Sequence, residues 1–361
     1  MDLPQLHSTA SLALRRGELF VCAGGFEERV LAFPGIMEPA AAPKSKAIIL
    51  GYSPHEKENK LAQISDLLSA RGCDPTCMSY NRHDPGSFDS AFRTNLTDLG
   101  AESVCLDVSG MSRLAILIIM DVVREMNLPL RVVYAEAREY APSKVDFDKA
   151  KAAGSQHLPT SFIHTGVYDV LHVARLSSIR MQNHATLLIA FDSFNEALCQ
   201  ALVNVINPAR FVLINGRPPR NELGWREAAT AHVHQQLRRE WSIEDDNDQS
   251  TKVTSTLWYQ ETYQLLVKLY WKFSDRHRII LAPTGSKMQT IGCYLLRAVH
   301  DDVHMEYPTV QGFFADKYST GVRETWIVDF GRLADFAAKL RTEELKENLG
   351  LPEETVDTEI A

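Results

Sequence analysis

Two short turns, about 175 residues apart, gather the side chains of this chain best suited to chemistry: Ser109-Gly110-Met111-Ser112-Arg113 and Thr284-Gly285-Ser286-Lys287. Each follows an apolar run and opens a long amphipathic segment, which leads on to a second apolar run carrying an aromatic, Tyr134 or Tyr307. A hydroxyl-glycine turn closed by a cation, set between strand and helix, suits an anionic or phosphorylated ligand. Glycine lets the backbone approach closely, and the N–H groups of a helix N-terminus carry partial positive charge. A cation at that end is mildly unfavourable by itself, so Arg113 and Lys287 favour an anion beside them. Ser109, Gly110, Ser112, Arg113, Thr284, Gly285, Ser286 and Lys287 are therefore ligand-binding candidates. Arg217, in a cluster with Arg220 and Arg226, is a further phosphate-contact candidate, and Tyr134 and Tyr307 either close the core or stack on a base. A plainer alternative stands beside this one: glycine turns serve packing alone, and a cation on a first helical turn or polar loop is often only solvated.

Other chemistries lack their residues. The Gly-x-x-x-x-Gly-Lys spacing of a Walker A loop is missing around Lys287, and neither turn has the Gly-x-Ser-x-Gly pattern of a nucleophile elbow. The six cysteines include no Cys-x-x-Cys pair, and His232 and His234, two apart, point to different faces of a helix. No metal and no cofactor is expected. The net charge of -8 argues against bulk binding of duplex nucleic acid while leaving room for a local cationic pocket. No stretch approaches the roughly 18 apolar residues of a membrane span, and the N-terminus has no signal-peptide pattern, so no membrane association and a cytoplasmic, reducing location are expected.

The elements that must position the two turns recur in the same order. Apolar runs at Leu19–Ala23, Ala47–Leu50, Thr76–Tyr80, Ser103–Val108 and Leu130–Tyr134 read as buried strands of a first half. Thr186–Ala190, Phe211–Ile214, Arg278–Ala282 and Val303–Tyr307 read as the counterpart strands of a second, with Phe26 matched to Phe194 and Glu28 to Glu196. Strands apolar on both faces, separated by helical segments, imply parallel sheets covered by helices. The expected class is α/β, two tandem Rossmann-like units related by a pseudo-two-fold internal duplication. The boundaries are 1–141 for the N-terminal unit, 142–183 for the connection, 184–331 for the C-terminal unit and 332–361 for a C-terminal helix and acidic tail, frayed from Glu343 onward. Residues from Ile243 to Lys252 read as a mobile loop. In open sheets of this kind ligands bind beyond the carboxyl ends of the strands, where both turns lie.

The run Leu281-Ala282-Pro283-Thr284-Gly285-Ser286-Lys287 resembles the Thr-Gly-Gly-Thr-Lys turn of CARF domains, the CRISPR-associated Rossmann folds, with one Ser in place of the second Gly and Thr. Asp107-Val108-Ser109-Gly110-Met111-Ser112-Arg113 is a second version with Arg for Lys. SAVED domains look like two such units fused in one chain, and the resemblance covers the architecture from about Leu19 to Phe330. It implies a sensor subunit that binds a nucleotide or cyclic oligonucleotide at the inter-lobe cleft, in prokaryotic antiviral defence. Because no helix-turn-helix or nuclease signature is recognisable, it also implies a separate protein effector as partner. Two alternatives remain open: a metal-independent ring nuclease in which Lys287 stabilises charge developing on the phosphate, and a structural subunit of a defence complex that binds no ligand.

Overall fold

The computed structural model describes residues 2–39, 45–154, 166–241, 252–314 and 318–349. Its strands are β1 (His7–Ser8), β2 (Glu18–Ala23), β3 (Ser45–Ser53), β4 (Cys73–Asn81), β5 (Ser103–Asp107), β6 (Pro129–Tyr140), β7 (Val167–His172), β8 (Ala185–Phe191), β9 (Arg210–Arg217), β10 (Val253–Ser255), β11 (His277–Ala282), β12 (His304–Val310) and β13 (Ser319–Arg332). They form two mostly parallel sheets flanked by helices, in the orders β1-β13-β6-β5-β2-β3-β4 and β10-β9-β8-β11-β12-β7. Antiparallel pairing is confined to β1 and β13 in the first sheet and to β7 in the second.

Both faces of the central strands are dry. In β2, Val21 joins one core while Phe20 and Cys22 join another; in β8, Leu187 and Ile189 face one way and Leu188 and Ala190 the other. This is the period-2 alternation of a strand covered on both sides. The inner faces of the two sheets share one continuous core, which includes Leu106 and Leu281 and the helices Arg113–Glu125 and Lys287–Val299. Those two helices pack against each other, each with ten of its thirteen residues buried. A helix apolar around its whole circumference is stable only in an interior. Polar groups on them therefore need partners: the Tyr294 hydroxyl donates to Met120 O across the pair (3.1 Å), and buried Asp121 is held by Arg124 (3.1 Å) and Arg175 (3.0 Å).

The chain does not divide where the sequence suggests. β13, assigned from the sequence to the second unit, pairs antiparallel along the length of β6, from Ser319 opposite Tyr140 to Arg332 opposite Pro129, and so belongs to the first sheet. The segment read as a plain connection from Pro142 holds a helix, Lys144–Ala152, opened by a capping box between Ser143 and Asp146. Most of the expected mobile loop, at 243–251, lies outside the described residues, as does the tail from 350. Residues 343–349, expected to fray, are helical within Leu333–Leu349. Among the described residues no helix is long and apolar enough to cross a membrane.

One contact fixes that last helix. Glu344, with no exposed surface, accepts from the Tyr263 hydroxyl and from Trp271 Nε1 (3.1 Å), and lies 2.7 Å from His300 Nε2. Glu344→Ala leaves these groups without their acceptor. At about 1–3 kcal/mol per stranded buried polar group, the expected loss is roughly 3 kcal/mol or more, read as a lower midpoint in denaturant unfolding.

Candidate functional site

The carboxyl ends of β2 and β5 in one sheet, and of β8 and β11 in the other, are the points where strand order reverses, and there the two turns face each other. Two adjoining cavities open between them. The first, about 310 Å³, draws its walls chiefly from the first sheet and the second, about 280 Å³, from the second sheet; Arg113, Tyr134, Tyr140, Leu198, Ser286 and Tyr318 line both.

Much of each turn is committed to its own geometry. Ser109 is fully buried: its hydroxyl accepts from Ala135 N (2.8 Å) and its N–H donates to Asp107 Oδ1 (2.9 Å). Thr284 is equally enclosed, accepting from Phe191 N (2.9 Å) and donating to Phe191 O. A Cβ on Gly110 would stand 2.9 Å from Ala23 O and 2.6 Å from Val30, so the first turn admits only glycine. Ser112 and Ser286 are the N-caps of their helices, bonded to Ala115 N (3.2 Å) and Gln289 N (3.0 Å). The Ser112 N–H donates to the Tyr52 hydroxyl (2.7 Å), which itself donates to Gly110 O (3.1 Å); the Ser286 N–H donates to Gln289 Oε1 (2.7 Å).

The cations stand just inside the caps. Arg113 and Lys287 are both the first residue of their helix. Arg113 Nε donates to Gly285 O, joining one turn to the other. Lys287, 17% exposed, lines the first cavity with its Nζ 3.9 Å from Glu27. Burial, reinforced by Arg29 and Arg113 nearby, pushes the Lys287 ammonium down to about 7 against the pull of Glu27. The Glu27 carboxylate is held by Arg29 through two bonds (2.9 and 2.8 Å) and accepts from the Ser319 hydroxyl. Burial alone would push its carboxyl up, yet Arg29 and then Lys287 hold it net below the usual range. Beneath the cavity floor, burial raises Asp107 to about 7, with the bonds from Ser109 and the charges of Arg29 and Lys287 pulling the other way.

Of the residues singled out from sequence, Gly110, Ser112, Arg113, Ser286, Lys287, Tyr134 and Tyr307 line the first cavity and Gly285 the second. Ser109 and Thr284 line neither. Arg217 also stands apart, half-exposed in an ion pair with Glu261 (2.7 Å). Its neighbour Arg226 is the one of that cluster lining a cavity, the second, where its guanidinium donates to the carbonyls of Tyr140, Ala141 and Pro142. Sequence reasoning passed over Glu27 and Arg29 in favour of Phe26 and Glu28. Their place directly after β2, at the reversal of strand order, is the signal that could have found them. Arg82 and Tyr318 reach the first cavity from distant segments and leave no local signal.

Among the described residues one cluster has metal-ligand composition: His172, His304 and Glu306, on the β7/β12 pair, none of which lines either cavity. The Ser178 N–H donates to His304 Nδ1 (3.1 Å), so the ring proton sits on Nε2 and is donated to Glu306 (2.7 Å). That proton occupies the nitrogen a metal would need, and the cluster is a hydrogen-bond chain.

No protein-family model and no curated protein matches the chain. Among solved structures it is similar to the cytoplasmic domain of a prokaryotic cation chloride cotransporter, at 10% identity over 83% of this chain and 98% of that one, with a TM-score of 0.24. It is also similar to protein VC1899 from Vibrio cholerae, at 12% identity over 91% and 98%, with a TM-score of 0.26.

The raised Asp107 makes a prediction. Between about pH 4 and pH 7 the folded state holds a proton on Asp107 that the unfolded state has lost, so this group's contribution to stability falls as pH rises across that window. Asp107→Asn keeps an acceptor for Ser109 and removes the titration. The variant is expected to be more stable than the native protein at about pH 8, with the difference shrinking toward zero near pH 4, measured by urea unfolding at several pH values.

Proposed function

We propose that this protein is a sensor subunit that binds a nucleotide or cyclic oligonucleotide in the paired cavities and passes the event to a separate effector protein, in prokaryotic antiviral defence. The observation that carries the reading is the matched pair of helix starts, an N-cap serine followed by a cation, Ser112-Arg113 and Ser286-Lys287, meeting at one cleft. Two cations at helix N-termini, partly removed from water in an aromatic-lined cavity, favour a ligand that is both anionic and aromatic. The same reading treats the two sheets as an internal duplication. Its support is that β2, β3, β4, β5 and β6 are laid out in the same spatial order as β8, β9, β10, β11 and β12. Cytoplasmic residence belongs to the proposal too, supported by six free cysteines, five of them buried.

A charge-assisted contact to phosphate is worth about 1.5–3 kcal/mol, so Lys287→Ala is expected to weaken binding of the cognate nucleotide roughly ten- to a hundredfold. In the free protein Lys287 titrates at about 7, and a bound anion raises that value. Binding therefore takes up a proton above about pH 7, and affinity falls as pH rises from there through the bound-state value. Calorimetry of a nucleotide panel in buffers of different ionisation enthalpy reads both effects. Unchanged affinity in Lys287→Ala overturns the reading. The ring-nuclease alternative has one observation in its favour, a lysine poised near neutrality inside a cavity. In that case single-turnover cleavage stays slow in Lys287→Ala even at saturating ligand.

A further inference from the structure

The two cavities come from equivalent parts of the fold, yet they are chemically unlike. We infer that the ligand is itself unsymmetric: a linear nucleotide with a terminal phosphate, the phosphate in the first cavity and the base in the second, rather than a ring of equal units. This rests on the nucleotide-binding reading above and narrows its ligand class.

The charge distribution is the basis. The described residues lining the first cavity include four cations, Arg29, Arg82, Arg113 and Lys287, against two carboxylates, Glu27 and Glu56. Arg29 is paired with Glu27 (2.8 Å) and Arg82 with Glu56 (2.9 Å). Arg113 has no carboxylate within 4 Å among the described residues, and Lys287 reaches Glu27 only at 3.9 Å, after Arg29 has taken it. With Lys287 protonated the excess is two positive charges, matching a phosphate monoester, which carries nearly two negative charges at neutral pH.

In the second cavity the lining charges balance, Arg113 and Arg226 against Glu136 and Asp192, and each is already engaged, Arg113 with Gly285 O. Arg226 is bound to three backbone carbonyls and lies over the Phe194 ring (4.4 Å). Glu136 is paired with Arg220 (2.8 Å), and Asp192 with Arg238 (3.0 Å) while accepting from Gly216 N (3.1 Å). The remaining lining is neutral, with Leu223, Pro218, Tyr134 and Thr256 among it. Such a pocket, apolar with a few polar groups, fits an uncharged heterocycle. A two-fold ring would place like phosphates in both cavities, and the second has no excess positive charge to receive one.

Leu223→Trp, in a short exposed turn of 3-10 helix, fills the second cavity from its rim without touching the first. Three probes are compared by calorimetry on the full chain: 5′-phosphorylated linear mono- and dinucleotides, symmetric cyclic di- and tetranucleotides, and inorganic pyrophosphate. The expected result is at least tenfold tighter binding of a linear nucleotide than of any symmetric ring. Leu223→Trp is expected to weaken the nucleotide about tenfold or more and leave pyrophosphate unchanged, while Lys287→Ala weakens both. Leu223→Phe repeats the test with a smaller side chain if the Trp variant folds poorly. Tighter binding of a symmetric ring overturns this inference and leaves the sensor reading standing. Equal loss of pyrophosphate in a well-folded Leu223 variant overturns the division between cavities, and failure of all nucleotides to bind removes both readings together.

Discussion

The contact between the helices Arg113–Glu125 and Lys287–Val299 is the constraint on which the rest of the molecule depends. Each is buried around its circumference, so neither can be solvated, and each is the other's wall. Their packing brings the inner faces of both sheets into one core. It also places both N-termini at the same end, close enough for Arg113 to bond Gly285 O. The buried Asp121 shows what this arrangement costs: a charge in the interior is tolerated because Arg124 and Arg175 both reach it.

At the cleft, the same burial governs the charges. Arg29 lies close enough to Lys287 to disfavour its protonation, and Glu27 is the group that lets both remain there. A carboxylate bonded to one cation and near a second occupies much the same electrostatic position that a bound anion would. The site is thus pre-organised around a negative charge of its own, and its polar backbone near the turns is capped internally by Tyr52 and Gln289. Under the proposed function, selectivity then falls to side chains rather than to the helix N–H groups.

A good deal of this was legible in the residue string. Runs such as Leu19–Ala23 and Thr186–Ala190 are apolar on both faces, and that pattern reads correctly as covered parallel strands. The two Gly turns are equally plain as motifs, although the atoms that forbid a side chain at Gly110, Ala23 O and Val30, come from a distant segment. What could not be read is whatever depends on distant segments. Ser109 and Thr284 have the right chemistry for a ligand, but their hydroxyls are consumed by Ala135 and Phe191, residues brought near only by the folded sheets. Arg217 looks identical in sequence to Arg226, and only the path of the chain gives one an exposed glutamate and the other a cavity. Strand β13 is amphipathic enough to sit at either sheet, and nothing local says which.

That strand has a consequence for how the protein is made. Among the described residues the first sheet is closed along β6 only by residues 319–332, and β1 in turn pairs only with β13. A ribosome delivers β6 long before its neighbour, so during synthesis a twelve-residue strand waits with one edge unpaired while the whole second half emerges. Pairings so far apart in sequence are slow to form, and an open strand edge invites other chains to fill it. The first sheet therefore stays unfinished until residues 319–332 have been made, and through that interval the edge of β6 stands open.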